Sequence, residues 1–358
     1  MTPPPAAEIL ARPFGAASRA DLLEQYFSTR QVTAENAWQH VCRLLLWADR
    51  TTGLAHCYES DKAQPGRPWY ARSLAFHAWF AGELGVTPGD LGKELDWLFH
   101  SATQRLAAAA VAQAKARATA AAAQREPWAG QGLPDPGTDP ELERILERVM
   151  DPNPAQRPGS DVVRQVTQEI RSYFASENKR KNLLGEGFED VLAAILLRLP
   201  GHPFTAGHIY QRKLLHEIPG FRRPPGQEKA RKVDLALARP SRLRVLVSAK
   251  WSVRADREEQ FGVDFDTYAR LEDRGEDFEF ALITNEFDAA RLVSACDRRA
   301  PGRPLFDQVV HVNPAGVLAA YSAPGTPAQA RSAATRLPEL VSSGRLMSLA
   351  SWLANVAS

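Results

Sequence analysis

Residues 243–257 read Leu-Arg-Val-Leu-Val-Ser-Ala-Lys-Trp-Ser-Val-Arg-Ala-Asp-Arg. The first five form an apolar run of strand character. Its continuation places Lys250 at the end of a strand, and a compact Arg254-x-Asp256-Arg257 group follows at once. A lysine in such a place orients water and neutralises a phosphate. Arginine and aspartate together are the side chains that pair with guanine and cytosine edges. Chemistry and base reading in one short stretch point to a nuclease with sequence preference.

Working outward, residues 232–238 also read as a strand, joined to 243–250 by the turn Arg239-Pro240-Ser241-Arg242. Helical spacing predicts a helix over 258–273 and another over 289–296. Residues 278–284 and 308–313 are apolar strands. Before the hairpin, one helix is expected from Ser160 to about 176 and a second over 186–199, ended by Pro200-Gly201. Helix, hairpin, helix, strand, helix, strand is an α/β pattern around a mixed sheet flanked by helices.

Upstream, residues 17–124 read as helical. Stretches 36–47 and 72–84 carry apolar residues at helical spacing, Thr87-Pro88-Gly89-Asp90 is a start signal, and 107–123 is alanine-rich. A Pro/Gly linker at 126–138 separates the two regions. The expectation is a helical N-terminal domain over 1–140, serving as a DNA arm or in oligomerisation, and an α/β domain over 141–358.

The 358-residue chain has a formal net charge of +2, so it is no histone-like polycation. Its cations are unevenly placed. From Arg212 to Lys250 lysine and arginine far outnumber acids, and such a stripe suits phosphate contact. Lys179, Arg180 and Lys181 form a second basic group. Cys42, Cys57 and Cys296 make no Cys-x-x-Cys pair, which argues against a disulfide framework and a structural zinc site. No stretch is long and apolar enough to span a bilayer, and Met-Thr-Pro-Pro-Pro is no signal peptide. A soluble, cytoplasmic protein without a membrane partner is expected.

Phosphodiester hydrolysis with Mg²⁺ needs oxygen ligands, positive charge near the phosphate and an activated water. Asp234 lies early on the first strand, and Ser248 shares the face of Lys250 because strand side chains alternate. Asp234 joins that face if the hairpin loop has three residues or a bulge intervenes; one of these is expected. Ser248 is a poor magnesium ligand, so a second carboxylate must come from elsewhere. Asp264 lies among Phe261, Phe265 and Tyr268 on the apolar face of the following helix, where an acid is costly unless paired or metal-bound. Glu258 and Glu259 are alternatives, though glutamates in a first turn often serve the helix dipole. Glu189, between Phe188 and Leu192 on an earlier helix, can reach the same place or face solvent.

These residues together resemble the CCGG-specific type II restriction endonucleases, a branch of the PD-(D/E)xK fold. The family reads Pro-Asp, then Ser-x-Lys, then a displaced glutamate on the next helix. Asp234, Ser248 and Lys250 match the first three positions, and Asp264 matches the displaced acid. Glu189 is similar to the family's additional glutamate, and Arg254, Asp256 and Arg257 match its base reader. Val233 stands where the family has proline, and Asp264 is shorter than glutamate. The close match covers residues 232–266.

The resemblance implies a PD-(D/E)xK nuclease domain in which Asp234, Asp264 and Glu189 hold Mg²⁺ and Lys250 serves the attacking water. It implies cleavage of double-stranded DNA before CCGG, leaving a four-base 5′ overhang with 5′-phosphate ends. A homodimer or higher oligomer follows from the palindrome, and a cognate DNA methyltransferase is the expected partner of a restriction-modification system. The helical N-terminal half resembles one branch of the group in which such a region serves oligomerisation. Two other readings share the fold: a catalytically inactive, sequence-specific DNA-binding protein, and a repair nuclease without sequence preference.

Overall fold

The computed structural model describes residues 12–55, 60–67, 69–132, 139–150, 160–201, 204–226, 229–239, 243–253, 255–275, 277–322 and 334–357. Its main sheet has six strands: β1 (Ile209–Leu214), β2 (Lys232–Leu237), β3 (Arg244–Lys250), β4 (Phe278–Thr284), β5 (Gln308–His311) and β6 (Leu346–Ser348). They lie side by side in the order β6-β5-β4-β3-β2-β1. β1, β2 and β3 form an antiparallel meander, while β3, β4, β5 and β6 run parallel. The mixed α/β architecture expected from the sequence is therefore present.

The helices, in chain order, are α1 (Ala16–Phe27), α2 (Ala37–Leu45), α3 (Tyr70–Leu84), α4 (Trp97–Arg125), α5 (Pro140–Met150), α6 (Ser160–Leu196), α7 (Ala255–Leu271), α8 (Ala289–Asp297), α9 (Pro314–Tyr321), α10 (Leu337–Ser342) and α11 (Leu349–Ala357). A parallel strand pair needs a crossover, and α7 supplies it between β3 and β4. Its buried face carries Phe261, Phe265, Tyr268 and Leu271. Phe265 and Tyr268 pack on Phe278 and Phe280 of β4. Each such aromatic contributes about 1.5–3 kcal/mol by leaving water, which holds α7 against the sheet.

Several sequence expectations change. The start signal at Thr87 gives only a short 3₁₀ turn at Leu91–Lys93, and the long helix begins at Trp97, after Asp96 with φ +60°. The two helices expected over 160–176 and 186–199 are one, α6. Gly185 and Gly187 weaken a helix locally, but Phe188, Val191, Leu192, Ile195 and Leu196 are all buried, and packing of that face overrides propensity. The sequence reading has no counterpart for β1, β6 or the helices after β5. β1 carries Gln211, Arg212 and Lys213 in a short span, and its residues are only half-buried or exposed, so no alternation marks it.

The chain divides into two compact units. One holds the chain up to Ser18 with Ala102–Leu183; the other holds Arg19–Ser101 with Leu184–Ser358. The expected boundary at residue 140 does not follow this division. Residues 19–101 belong with the sheet for physical reasons: buried Arg19 pairs with Glu186 and Asp190, Arg72 donates to the Tyr321 hydroxyl at 2.9 Å, and Phe76 meets Phe287 edge-on. Among the described residues no helix is long and apolar enough to cross a membrane.

Candidate active site

The hairpin places the central acid. Leu235, Ala236 and Leu237 pair with Val247, Leu246 and Val245. One step further along the same register sets Asp234 opposite Ser248, on one face with Lys250. The shared face is as expected, but the connection is not the three-residue loop. The last pair is Leu237 with Val245, so residues 238–244 intervene, an odd number that keeps the parity. Residues 240–242 lie outside the described part of the chain.

Asp234 Oδ2 is the focus of this face. It accepts from Lys250 Nζ at 2.6 Å, from the Ala249 backbone N–H at 3.0 Å and from Ser248 Oγ at 3.5 Å. Strand β3 thus presents a lysine, a backbone amide and a hydroxyl to one carboxylate.

A cavity of about 840 Å³ opens on this group. Lys229, Arg231, Lys232 and Lys250 line it against two acids, Asp234 and Asp264, so its wall is rich in cations. Asp264 faces it from α7. Its carboxylate accepts from Gln260 at 2.8 Å and lies 3.6 Å from the Arg231 guanidinium. Burial, helped by nearby Asp234, pushes its pKa up, against the opposing pull of Gln260, Arg231 and Lys250. Glu259 is exposed and does not line the cavity, and the Glu258 side chain lies outside the described part of the structure. Of Glu259 and Asp264, the two whose side chains are described, Asp264 is the one that lines the cavity.

Glu189 reaches the group from α6 and is buried, so it is no solvent-facing helix acid. Burial first, and then the Asp234 anion, push its pKa up to about 7, with Arg212 and Lys250 pulling the other way. It does not line the cavity. Arg212 NH1 donates to Glu189 Oε2 at 3.1 Å, and Arg212 NH2 to Asp190 Oδ1 at 2.6 Å.

Arg212 is a residue that sequence reasoning missed in this role. It falls opposite Asp234 in the β1–β2 register, between the pairs Gln211 with Leu235 and Lys213 with Val233. The ladder lapses there, because Arg212 has φ +49°. A non-glycine residue in the left-handed region costs about 1–3 kcal/mol, and such strain gathers at functional sites. No sequence signal marks a backbone conformation of this kind.

The basic stripe does not form one surface. Lys229, Arg231, Lys232 and Lys250 converge on the cavity. Arg212 holds Glu189 and Asp190, Arg239 donates to the Val356 carbonyl, and Arg244 is buried against Glu272 at 2.7 Å. Of the other basic group, Lys179 lies over the Phe14 ring, Arg180 is buried and Lys181 is exposed. Arg254 lies outside the described residues. Asp256 and Arg257 fall in the first turn of α7, which begins at Ala255 and not at 258; their side chains are likewise outside the described part.

A second buried polar group stands beside the site. Glu286, fully buried, accepts through Oε2 from the Val253 N–H at 2.8 Å. Through Oε1 it accepts from the N–H groups of Phe287 and Asp288 at 2.8 and 2.7 Å. The Asn285 N–H donates to the Trp251 carbonyl at 3.0 Å, and the Trp251 ring meets Phe188, next to Glu189, edge-on at 5.4 Å.

Among the described residues, no three His, Cys, Asp or Glu side chains stand close enough together to hold a metal ion. Comparison with known proteins adds no identity: no protein-family model matches the chain, and no curated protein matches it significantly.

Proposed function

We propose that this chain is a Mg²⁺-dependent endonuclease that cuts double-stranded DNA at a palindromic site with a CCGG core. One observation carries the reading. Asp234 and Lys250 are in contact in the lining of a cation-rich cavity, with Asp264 also on its wall and Glu189 in electrostatic reach. That is the set of groups in which the resemblance to the CCGG-specific restriction endonucleases consists. The mixed sheet flanked by helices is compatible with a PD-(D/E)xK nuclease domain.

The donor set suits a hard cation, because it offers carboxylate oxygens and no thiolate or imidazole. The carboxyl groups of Glu189 and Asp264 are held above their usual range, a cost that a nearby cation relieves. As they stand, Asp234 is engaged by Lys250, and Asp264 by Gln260 and Arg231, so binding an ion means exchanging those contacts. Asp234, Asp264 and Glu189 would be the residues to hold it, but they do not stand close enough together as they are, so an ion would also have to draw them closer. Bound there, Mg²⁺ supplies positive charge at the scissile phosphate and a more acidic water.

The chain's own residues do the rest. Lys229, Arg231 and Lys232 hold backbone phosphates without reading sequence. Lys250 orients the attacking water from its place beside Asp234. The water oxygen bonds to phosphorus as the bond to the 3′ oxygen breaks. The water gives up a proton to solvent, the 3′ oxygen takes one up from solvent, and the ends are a 5′-phosphate and a 3′-hydroxyl. Arg254 and Arg257 pair with guanines, and Asp256 accepts from cytosines, in the major groove. Two copies related by a two-fold axis meet the two halves of the palindrome. Such an enzyme works beside a DNA methyltransferase that protects the same site.

The test is digestion of plasmid DNA by the full chain with and without Mg²⁺, followed by sequencing of the ends. Discrete fragments ending at CCGG, only with Mg²⁺, are expected. The engaged state of Asp234 and Asp264 favours one other reading, an inactive sequence-specific DNA-binding protein; it predicts selective binding without cutting. Smeared digestion would mark a nuclease without sequence preference and sink the base-reader assignment.

A further inference from the structure

We propose that Glu286 is a positioning residue for sequence reading: its buried carboxylate fixes where the segment carrying Arg254, Asp256 and Arg257 begins. The proposal rests on the base-reader role given above. Glu286 itself touches no DNA, since it is fully buried. It lies two residues beyond the end of β4, and both of its oxygens are used by backbone donors.

The geometry shows what it holds. Oε1 binds the N–H groups of Phe287 and Asp288, which locks the chain leaving β4. Oε2 reaches across to the Val253 N–H, one residue before Arg254. The carboxylate therefore bridges the exit of β4 and the entry to the reading segment. Trp251, on the same short loop, is tied to the same exit: its carbonyl accepts from the Asn285 N–H and, at 3.4 Å, from Thr284 Oγ1. The backbone of Glu286 is held in turn, because its carbonyl bonds to buried His311 Nε2 at 2.8 Å. The 251–253 loop is thus fastened at both ends to one strand terminus, with Lys250 before it and Arg254 after it.

A buried carboxylate with backbone donors on both oxygens is a rigid support. Side chains that read base edges need positions held within about 0.5 Å. A shift of the Val253 amide is carried into the first turn of α7 and spoils bidentate contacts, while phosphate contacts made by the flexible lysines of the cavity survive. Loss of Glu286 therefore lowers discrimination more than it lowers overall affinity.

The experiment compares the full chain with Glu286→Gln, Glu286→Asp and Arg257→Ala. Equilibrium binding without Mg²⁺ is measured by fluorescence anisotropy. The probes are duplexes with a CCGG core in random flanks, and the same duplexes with one core base pair changed. Glu286→Gln keeps the shape but puts an amide NH₂ against at least one N–H donor; Glu286→Asp keeps the charge but shortens the reach to Val253. Thermal unfolding is followed in parallel.

The expected result is a loss of discrimination of about tenfold in both Glu286 variants, within the range that one bidentate contact supplies, with binding to the altered duplexes unchanged. Equal weakening on both duplexes, in step with lower thermal stability, would make Glu286 a purely structural residue and overturn the proposal. If Arg257→Ala relaxes discrimination and the folded Glu286 variants do not, the positioning role alone falls. If Arg257→Ala leaves discrimination intact, the reader assignment falls and this proposal with it. Should one Glu286 variant fail to fold, the other decides.

Discussion

Replacing Glu189 by glutamine should make the metal-free protein more stable at pH 8 and leave it unchanged at low pH. Glu189 is buried beside the Asp234 anion, and its pKa is pushed from an ordinary 4.5 up to about 7. Between those values the folded protein holds a proton that the unfolded chain has lost. Stability therefore falls as pH rises through this window. The contribution is whole below about 4.5 and gone once pH passes about 7. A displacement of this size corresponds to about 3 kcal/mol. Glutamine copies the neutral acid and still accepts from Arg212, so it removes the slope and little else. Urea unfolding of both proteins in EDTA, at steps from pH 4.5 to 8, measures the difference directly. The two curves should coincide near pH 4.5 and separate steadily, with the glutamine variant ahead by up to about 3 kcal/mol at pH 8. A difference flat in pH, or a less stable glutamine variant at pH 8, would refute the burial of this carboxyl as an acid held above its ordinary range.

Three other outcomes are expected. Lys250→Ala removes the ammonium 2.6 Å from Asp234 and should abolish Mg²⁺-dependent cleavage while selective DNA binding persists; gel-based cleavage and anisotropy read the two separately. Arg257→Ala should cost about 1–3 kcal/mol of discrimination between CCGG and a core with one changed pair; normal discrimination in a folded variant would remove Arg257 from the reader. Gly316→Ala puts a methyl 2.7 Å from Trp79 Cζ3 and 3.2 Å from Phe76 Cε2. Trp79 is hemmed in by Trp38 and Phe80, so the ring has little room to yield, and a loss of about 1–3 kcal/mol is expected by thermal unfolding.

Much of the site was legible because its signals are local. Strand alternation brings Ser248 and Lys250 to one face wherever the strand lies, and helical spacing sets Asp264 among Phe261, Phe265 and Tyr268. The hairpin parity that adds Asp234 was not readable, because it depends on the length of the connection, and without a bulge only odd lengths give this shared face. Glu189 was ambiguous for a clear reason. A glutamate between apolar positions on a helix lies inward or outward according to what packs beside it, and here Trp251 and Phe188 turn that edge inward.

What the sequence determined by itself was the element types around the hairpin, the face shared by Ser248 and Lys250, and the closeness of Lys250 to Arg254, Asp256 and Arg257 in the chain. These follow from periods of two and 3.6 residues, which need no knowledge of the rest of the chain. Tertiary structure alone decided that residues 19–101 join the sheet, that α6 runs unbroken through two glycines, and that only part of the basic stripe meets in one cavity. It alone revealed Arg212 with its left-handed backbone and Glu286 bridging two loops. Each of these depends on contacts between residues far apart in the chain. Buried charge finds its partner only after the elements have packed, and no local pattern encodes which partner that is.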